Sequence, residues 1–443
     1  MTPAWPRSPV LEIARDSVRT FVSRIFSLAT GAALSVLIAR WLGPEGQGFY
    51  SLCVTASLVA AFTVNCGLGL SNVYFLGKGR FSAEEIASVS FGYAILGGVL
   101  GFVSASVVVL SVDIPGLGGV PMLPLILAFA AIPLYNLSEY YFYFLIGSDR
   151  IKHFNVASAS RNALQLVLFV PLVVVAGLGL DGALLSWFLG LGGVTLLSVF
   201  FVTRTVSVRP SVRPDVLKAS VSFGIKGYLS RIASFLYYRI DLFIVSYFLD
   251  ARAVGYYAVS VLIAELLWNV PSSLAPGVMF KSATEDSKGR DLLTAAACRH
   301  ALLVCLVAAG GIALVAKPAI EFAFGSEFLP SVRPLLVLLP GTAFLSVGSI
   351  LANDFVGRGR QAMNSVAAFI TLLINVPLNF ILIPVWGISG AAAASAFSYC
   401  TGTAVMLFVF LRLTGLRPSD VLLPRAGDLR AYVSFVREFL KRS

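Results

Sequence analysis

About twelve stretches of this chain are apolar for long enough to cross a lipid bilayer, and that pattern fixes the class of fold. They run 18–40, 48–76, 85–112, 122–147, 154–177, 182–203, 219–248, 254–280, 292–316, 332–356, 361–384 and 388–411. A crossing helix needs roughly 20 mostly apolar residues. The chain is 58% hydrophobic and 12% charged, whereas about a quarter of the residues in an ordinary soluble domain are charged. Hydrocarbon offers no hydrogen-bond partner to the backbone, so each span has to satisfy its own, as a helix does. The expectation is an all-α polytopic membrane protein.

Two segments 207 residues apart read as copies of one another. Phe21-Val-Ser-Arg24-Ile-Phe-Ser27, followed by Leu42, Gly48 and Tyr50, superposes without a gap on Tyr228-Leu-Ser-Arg231-Ile-Ala-Ser234, followed by Leu249, Gly255 and Tyr257. At an offset of 208, Gly179-Leu-Asp-Gly182-Ala183 falls on Gly387-Ile-Ser-Gly390-Ala391, Arg150 on Arg358 and Arg204 on Arg412. Two related halves of six spans each, 18–203 and 219–411, follow. An even number of crossings per half gives both the same orientation, so the axis relating them runs along the membrane normal. The expected architecture is two pseudo-symmetric six-helix halves around a central cavity. They are flanked by an N-terminal segment 1–17, joined by a basic linker 204–218 with Pro210 and Pro214, and followed by a basic tail 412–443.

The basic residues orient the bundle. With the N-terminus in the cytoplasm, 24 of the 33 Lys and Arg residues fall on the inner side, four on the outer (Arg40, Arg252, Lys317, Arg333) and five within spans. Both termini are therefore expected in the cytoplasm, and the net charge of +11 reflects topology and not affinity for nucleic acid. Residues 1–17 are polar and broken by Pro3, Pro6 and Pro9, so the first span is expected to stay as an anchor and not to be cleaved. In the tail, Leu429, Tyr432, Val433, Val436, Phe439 and Leu440 alternate with Arg430, Arg437 and Lys441, the pattern of an amphipathic helix on an anionic leaflet.

Charges inside spans are costly and point to function. Arg24 lies on a polar stripe of the first span (Ser17, Thr20, Arg24, Ser27, Gly31, Ser35), and Arg231 on the matching face of the seventh (Ser220, Gly227, Arg231, Ser234, Tyr238). Arg239 and Asp241 sit about 80° to either side of Arg231. Arg24, Arg231, Arg239 and Arg161 are the candidate substrate-binding cations of a water-filled cavity, because a guanidinium keeps its charge and offers phosphate paired donors. Asp241, Glu265 and Glu139 are the candidate acids. Each either carries a coupling proton or Na⁺, or neutralises one of the arginines. The run Tyr140-Tyr141-Phe142-Tyr143-Phe144 suits sugar stacking or a membrane-interface aromatic belt. Cys53, Cys66, Cys298, Cys305 and Cys400 show no metal-ligand spacing and are read as packing residues. No catalytic constellation and no cofactor motif appears, and the longest outer loops expected, 113–121 and 317–331, are short and poor in catalytic groups.

Ala39-Arg-Trp-Leu-Gly-Pro-Glu-Gly-Gln-Gly-Phe-Tyr50 resembles the end of the first helix in polysaccharide-repeat flippases, the Wzx-like branch of the multidrug/oligosaccharidyl-lipid/polysaccharide exporter superfamily. Tyr238-Arg-Ile-Asp-Leu-Phe-Ile-Val245 with Val254-Gly-Tyr-Tyr257, and Asn379-Phe-Ile-Leu-Ile-Pro384 through Gly387-Ile-Ser-Gly-Ala391, are similar to that family too. The resemblance implies a V-shaped bundle in a bacterial inner membrane. It would move polyprenyl-diphosphate-linked oligosaccharide, an O-antigen or exopolysaccharide repeat unit, from the cytoplasmic to the external leaflet, alongside a polysaccharide polymerase and chain-length machinery. A multidrug/cation antiporter of the same superfamily is the rival transporter. A peptidoglycan-precursor flippase lacks support, since no helix pair follows the twelfth span. From another class, a membrane glycosyl polymerase or ligase would need catalytic groups in its external loops.

Overall fold

The computed structural model describes residues 9–111, 119–284 and 287–425, and no strand occurs among them. The helices are α1 (Pro9–Asn65), α2 (Leu68–Lys78), α3 (Ala83–Ser111), α4 (Met122–Gly147), α5 (Ile151–Phe169) and α6 (Gly179–Thr203). Then come α7 (Pro214–Phe248), α8 (Ala251–Ala264), α9 (Asn269–Thr284), α10 (Ser287–Phe324), α11 (Val332–Gly357), α12 (Ala362–Trp386), α13 (Ile388–Thr414) and the short α14 (Pro418–Leu422). The amphipathic tail expected at 429–441 lies outside the described residues, as does most of the expected outer loop 113–121.

Among the described residues ten helical runs are long and apolar enough to cross a membrane, against about twelve expected. The difference lies in two places. The run Val22–Asn65 is 44 residues long and holds the first span and most of the second, with Gly43 (φ 65°) breaking the helical path between them. That left-handed backbone is easy only for glycine, and Pro44 restarts the helix where its missing N–H costs nothing. The other is α7, which is helical throughout but carries Arg231, Arg239 and Asp241 in its apolar stretch. Many outward-facing side chains are large and apolar, Leu196, Val307 and Leu314 being 69–86% exposed. Such surface is a liability in water and suits lipid. This is a multi-pass membrane protein.

Three expectations change. Helix α1 begins at Pro9, within the segment 1–17 placed ahead of the first span, because a proline is favourable at a helix's first position. The loop expected at 317–331 is helical instead, with α10 reaching Phe324 and a 3-10 turn at Ser326–Ser331. The second span is broken in the first half and locally tightened in the second. In the first half, α1 ends at Asn65 and α2 starts at Leu68 across left-handed Cys66 and Gly67. In the second, a 3-10 turn Glu265–Trp268 separates α8 from α9.

The chain divides into two compact units, Met1–Tyr228 with Asp250–Gly255, and Leu229–Leu249 with Tyr256–Ser443. The first unit's core gathers Leu68, Phe75, Ile86, Tyr140, Tyr141 and Phe144. The segment after α6 packs on this unit, its Arg209 and Ser211 backbone N–H groups donating to the hydroxyl and carbonyl oxygens of Ser88. In the second unit the core is built from Val278, Cys298, Val347, Leu351, Phe355 and Phe410. Cys53, Cys298 and Cys305 are buried free thiols, small apolar packing groups in effect.

Candidate functional site: buried polar clusters in the two units

Helix α7 carries two charged groups, Arg239 and Asp241, into the second unit. Arg239 makes a two-pronged ion pair with Glu265, Nη1–Oε1 2.6 Å and Nη2–Oε2 3.1 Å. Glu265 opens the 3-10 turn between α8 and α9, so the carboxylate sits where that span is wound more tightly. Tyr238 packs its ring against Trp268 of the same turn (4.6 Å between centroids) and against Tyr399 of α13 (5.6 Å). Beside these rings a cavity of about 220 Å³ is lined by Ser234, Tyr237, Tyr238, Tyr399 and Thr403, among others.

Two residues further on, Asp241 is 1% exposed, yet its carboxylate is well supplied. Oδ2 accepts from the Tyr257 hydroxyl at 2.5 Å and the Ser395 hydroxyl at 3.0 Å, and Oδ1 accepts from the Leu242 N–H at 2.9 Å. Asn375 Nδ2 donates to Ser395 Oγ at 3.2 Å, and Asn379 Nδ2 to Asn375 Oδ1 at 3.0 Å. Four helices, α7, α8, α12 and α13, therefore meet on one string of polar atoms. Burying a carboxylate without such donors costs several kcal/mol. Asn379 Oδ1, at the end of the string, is buried without a partner among the described residues.

A third charged cluster joins α9, α10 and α11. Asp354 is fully buried and accepts from Ser282 Oγ (2.6 Å), Thr294 Oγ1 (2.9 Å) and the Arg358 guanidinium. Arg358 also reaches Asp291 at 2.7 Å. Sequence reasoning passes over Asp354, although it lies within the expected span 332–356 and the spacing to Arg358 is that of helical neighbours. Tyr257, Asn375, Asn379 and Ser395 were also missed. Tyr257 carried a signal in its place in the repeat, and Asn379 in the motif that it opens.

The first unit is less charged inside. The Arg161 guanidinium of α5 lies 5.2 Å from the Phe142 ring centroid, 5.7 Å from that of Tyr135 and 3.7 Å from the Glu139 carboxylate. All three partners come from α4, at the three- and four-residue spacings of one helix face. The polar stripe of the first span proves to be a packing seam. Asn155 Nδ2 donates to Thr20 Oγ1 (2.8 Å), Ser23 Oγ to the Asn155 carbonyl (2.8 Å) and Asn162 Nδ2 to the Ser27 carbonyl (3.0 Å). Small side chains let α1 and α5 approach closely, and amides join them. Arg24 is exposed at the flank of this seam, and Arg231 is half-buried on α7.

Three residues of the α4 aromatic run are packed inside the first unit, where they form neither a sugar platform nor a belt. Tyr140, Tyr141 and Phe144 are fully buried, with the Tyr140 hydroxyl donating to the Asn65 carbonyl (3.0 Å) and that of Tyr141 to the Ala87 carbonyl (3.2 Å). Those hydroxyls are used up by the backbone they support.

Against known proteins, the family model described as "Polysaccharide biosynthesis protein" matches residues 37–333, a stretch reaching across both halves. The chain belongs to that family. It is 25% identical over 411 residues to the probable low-salt glycan biosynthesis flippase Agl15 of Haloferax volcanii, covering 89% of this chain and 83% of that one. In fold it is similar to a multidrug resistance MATE family transporter of the MOP superfamily in an inward-facing conformation, with a TM-score of 0.75 and 15% identity over 88% of this chain and 94% of that one. The lipid II flippase MurJ, in an inward closed conformation, gives a TM-score of 0.72 and 16% identity over 90% of each chain.

Proposed function

We propose that this chain is a flippase that moves polyprenyl-diphosphate-linked oligosaccharide from the cytoplasmic to the external leaflet of a bacterial inner membrane by alternating access. The observation that carries the reading is the family match over residues 37–333, with a glycan flippase as relative along most of the chain. The chemistry comes from arginines kept at equivalent places in the repeat, Arg24 on α1 and Arg231 on α7. Arg239 and Arg161, each beside a carboxylate, complete the set of candidate cations. With a negative cell interior, outward movement of an anion is favoured by about 2.3 kcal/mol per charge at 100 mV, so the membrane potential supplies a driving force.

A drug/cation antiporter would instead display acids to its cargo. Here the Glu139 carboxylate stands beside Arg161, Glu265 is taken by Arg239, and Asp241 is enclosed by hydroxyl donors, which favours the anionic substrate. An oligosaccharide polymerase working on the external side is the natural partner for the product.

Vesicles holding the purified protein, a fluorescent polyprenyl-diphosphate sugar and an imposed potential test the proposal. Arg231→Ala abolishes translocation at normal abundance, and Arg231→Lys restores part of it, since lysine keeps the charge and loses the two-pronged geometry. Full activity in Arg231→Ala would overturn the assignment.

A further inference from the structure

Among the described residues, the lining of the cavity beside Tyr238 in the second unit carries no formal charge. The rings of Tyr237, Tyr238 and Tyr399 stand 4.2–6.0 Å apart between centroids and make one aromatic wall. Small residues on three helices leave the space open, Gly348 and Ala352 on α11, Ala367 and Ala368 on α12, and Gly402 on α13. Thr403 is 1% exposed, and its Oγ1 is buried with no partner among the described residues. That hydroxyl stands over Gly348, where an added Cβ would lie 2.7 Å from it. Asn364 donates Nδ2 to the Ala352 carbonyl at 2.9 Å, while its buried Oδ1 has no partner among the described residues.

A buried oxygen left without a donor costs stability, and a cavity that stays empty is lined by apolar groups. Two idle oxygens among the lining residues therefore call for a molecule that brings O–H or N–H groups. The walls exclude other cargo. A phosphate or a metal cation would lose its hydration and gain no opposite charge from the lining. A hydrocarbon chain would fill the space and leave both oxygens unsatisfied. A sugar ring meets both demands, since its C–H face lies on aromatic rings while its hydroxyls donate.

Size narrows the choice further. The cavity of about 220 Å³ is smaller than the roughly 300–1,000 Å³ of sites for drug-sized ligands, so it suits one ring and not an oligosaccharide. Ser234, Tyr238 and Ser349 on its wall are only part-buried, so the cavity is not sealed. We propose that it binds one uncharged sugar residue of the lipid-linked oligosaccharide, with the ring on Tyr237, Tyr238 and Tyr399 and its hydroxyls donating to Thr403 and Asn364. The proposal rests on the flippase reading, and it holds whichever cation takes the diphosphate. It adds a site within the second unit that inspects the glycan and not the lipid.

The test is photo-labelling of the purified full-length protein in vesicles with three polyprenyl-diphosphate probes. Each bears a single sugar (glucose, galactose or N-acetylglucosamine) that carries a diazirine. Peptide mapping should find label from at least one probe on the stretches 345–352 and 399–406. Ser349→Leu fills the cavity and should lower that label about fivefold. Thr403→Val removes the hydroxyl and keeps the shape of the side chain. It should lower the label about threefold and leave the melting temperature unchanged or raised, because it deletes an unpartnered buried group. A purely structural threonine would not give both results, and this variant serves alone if the leucine variant fails to fold. Undiminished label in the folded variants would overturn the proposal. So would equal labelling of the same stretches by bare polyprenyl diphosphate with the diazirine on its tail, which would make the cavity a place for hydrocarbon. Sugar label confined to other stretches, in a protein that still translocates the lipid-linked sugar, would remove the cavity and leave the flippase reading standing. Neither label nor translocation by the unmutated protein would remove both.

Discussion

The two halves meet the same physical problem, a second span whose regular α-helical winding is interrupted, with different chemistry. In the first unit the break at Asn65–Gly67 is held by neutral amides. Asn65 Oδ1 accepts from the Gly67 N–H at 3.2 Å, and Asn65 Nδ2 donates to Asn136 Oδ1 at 2.8 Å. In the second unit the break at Glu265–Trp268 is held by an ion pair to Arg239. The repeat sharpens the contrast. Tyr50 and Tyr257 are equivalent, and so are Leu34 and Asp241. Leu34 lies in an apolar cluster with Ile38, Phe169 and Val173 against which Tyr50 packs, and the Tyr50 hydroxyl accepts from Gln165 at 2.8 Å. Tyr257 instead donates to a buried carboxylate. One scaffold thus accommodates a neutral and a charged solution at these equivalent positions.

The harshest way to break the comparison is to make the first half like the second. Leu34→Asp places a carboxylate where apolar side chains offer no donors, and should destabilise by at least about 3 kcal/mol. Thermal unfolding in detergent measures this. A near-normal melting temperature would mean that Tyr50 and Gln165 turn toward the new carboxylate and that the halves are interchangeable there. The reverse change, Asp241→Leu, strands the Tyr257 and Ser395 hydroxyls and should cost about 2–4 kcal/mol. Asp241→Asn keeps an acceptor oxygen and should cost less. If Asp241 also carries a coupling ion, Asp241→Asn will remove any dependence of transport on a proton or Na⁺ gradient. If it only joins helices, transport driven by potential alone will persist in proportion to folded protein.

Next in size is the pair at the second break. Arg239→Gln and Glu265→Gln should each cost up to about 3 kcal/mol by leaving a partly buried charge alone. The double variant should cost less than the sum, with a coupling energy of about 1–3 kcal/mol. At the first break, Asn65→Ala should cost only about 1–2 kcal/mol. Equal losses at the two breaks would erase the distinction between a neutral and a charged solution.

The spans and the turn at Gly43-Pro44 were legible because length, apolarity and glycine–proline punctuation are local properties. The interruptions were not, because their residues (Val64-Asn65-Cys66-Gly67-Leu68, and Glu265-Leu-Leu-Trp268) scarcely alter the apolar character of the span. Glu139, Glu265 and Asp241 could be singled out by the cost of a charge in lipid. Their partners could not, since helix phase says which face a residue occupies and nothing of the helix opposite. Arg239 meets Glu265 and Arg161 meets Glu139, whereas Asp241 meets hydroxyls that sequence gave no reason to connect. The stripe Thr20–Ser27–Gly31 was legible as a face, but small polar residues suit a helix seam and a watery cavity equally well.

The smallest expected effect lies outside the spans, where each unit holds a carboxylate near its surface. At the first unit Asp215 is held below the usual carboxylate range mainly by the Arg213 guanidinium, which bonds it at 2.8 Å and also bonds Glu85. At the second, Asp420 is held low first by the Arg417 backbone N–H (2.9 Å) and then by Arg425 (2.7 Å). Its own carbonyl accepts from Arg299, tying α14 to α10. A carboxyl whose pKa is depressed on folding stabilises the fold above its unfolded value of about 3.9, and the contribution fades as pH falls through the folded value. The docking of α14 should therefore be independent of pH from neutrality down to about pH 4 and loosen below it. Hydrogen exchange at the Leu423 amide, which donates to the Ser419 carbonyl across this turn, reads the change directly. Asp420→Asn should speed that exchange near neutral pH and abolish its acid dependence, because the amide accepts more weakly than the carboxylate. Acid loosening that survives Asp420→Asn would assign it to another group and leave the cap without a titrating part.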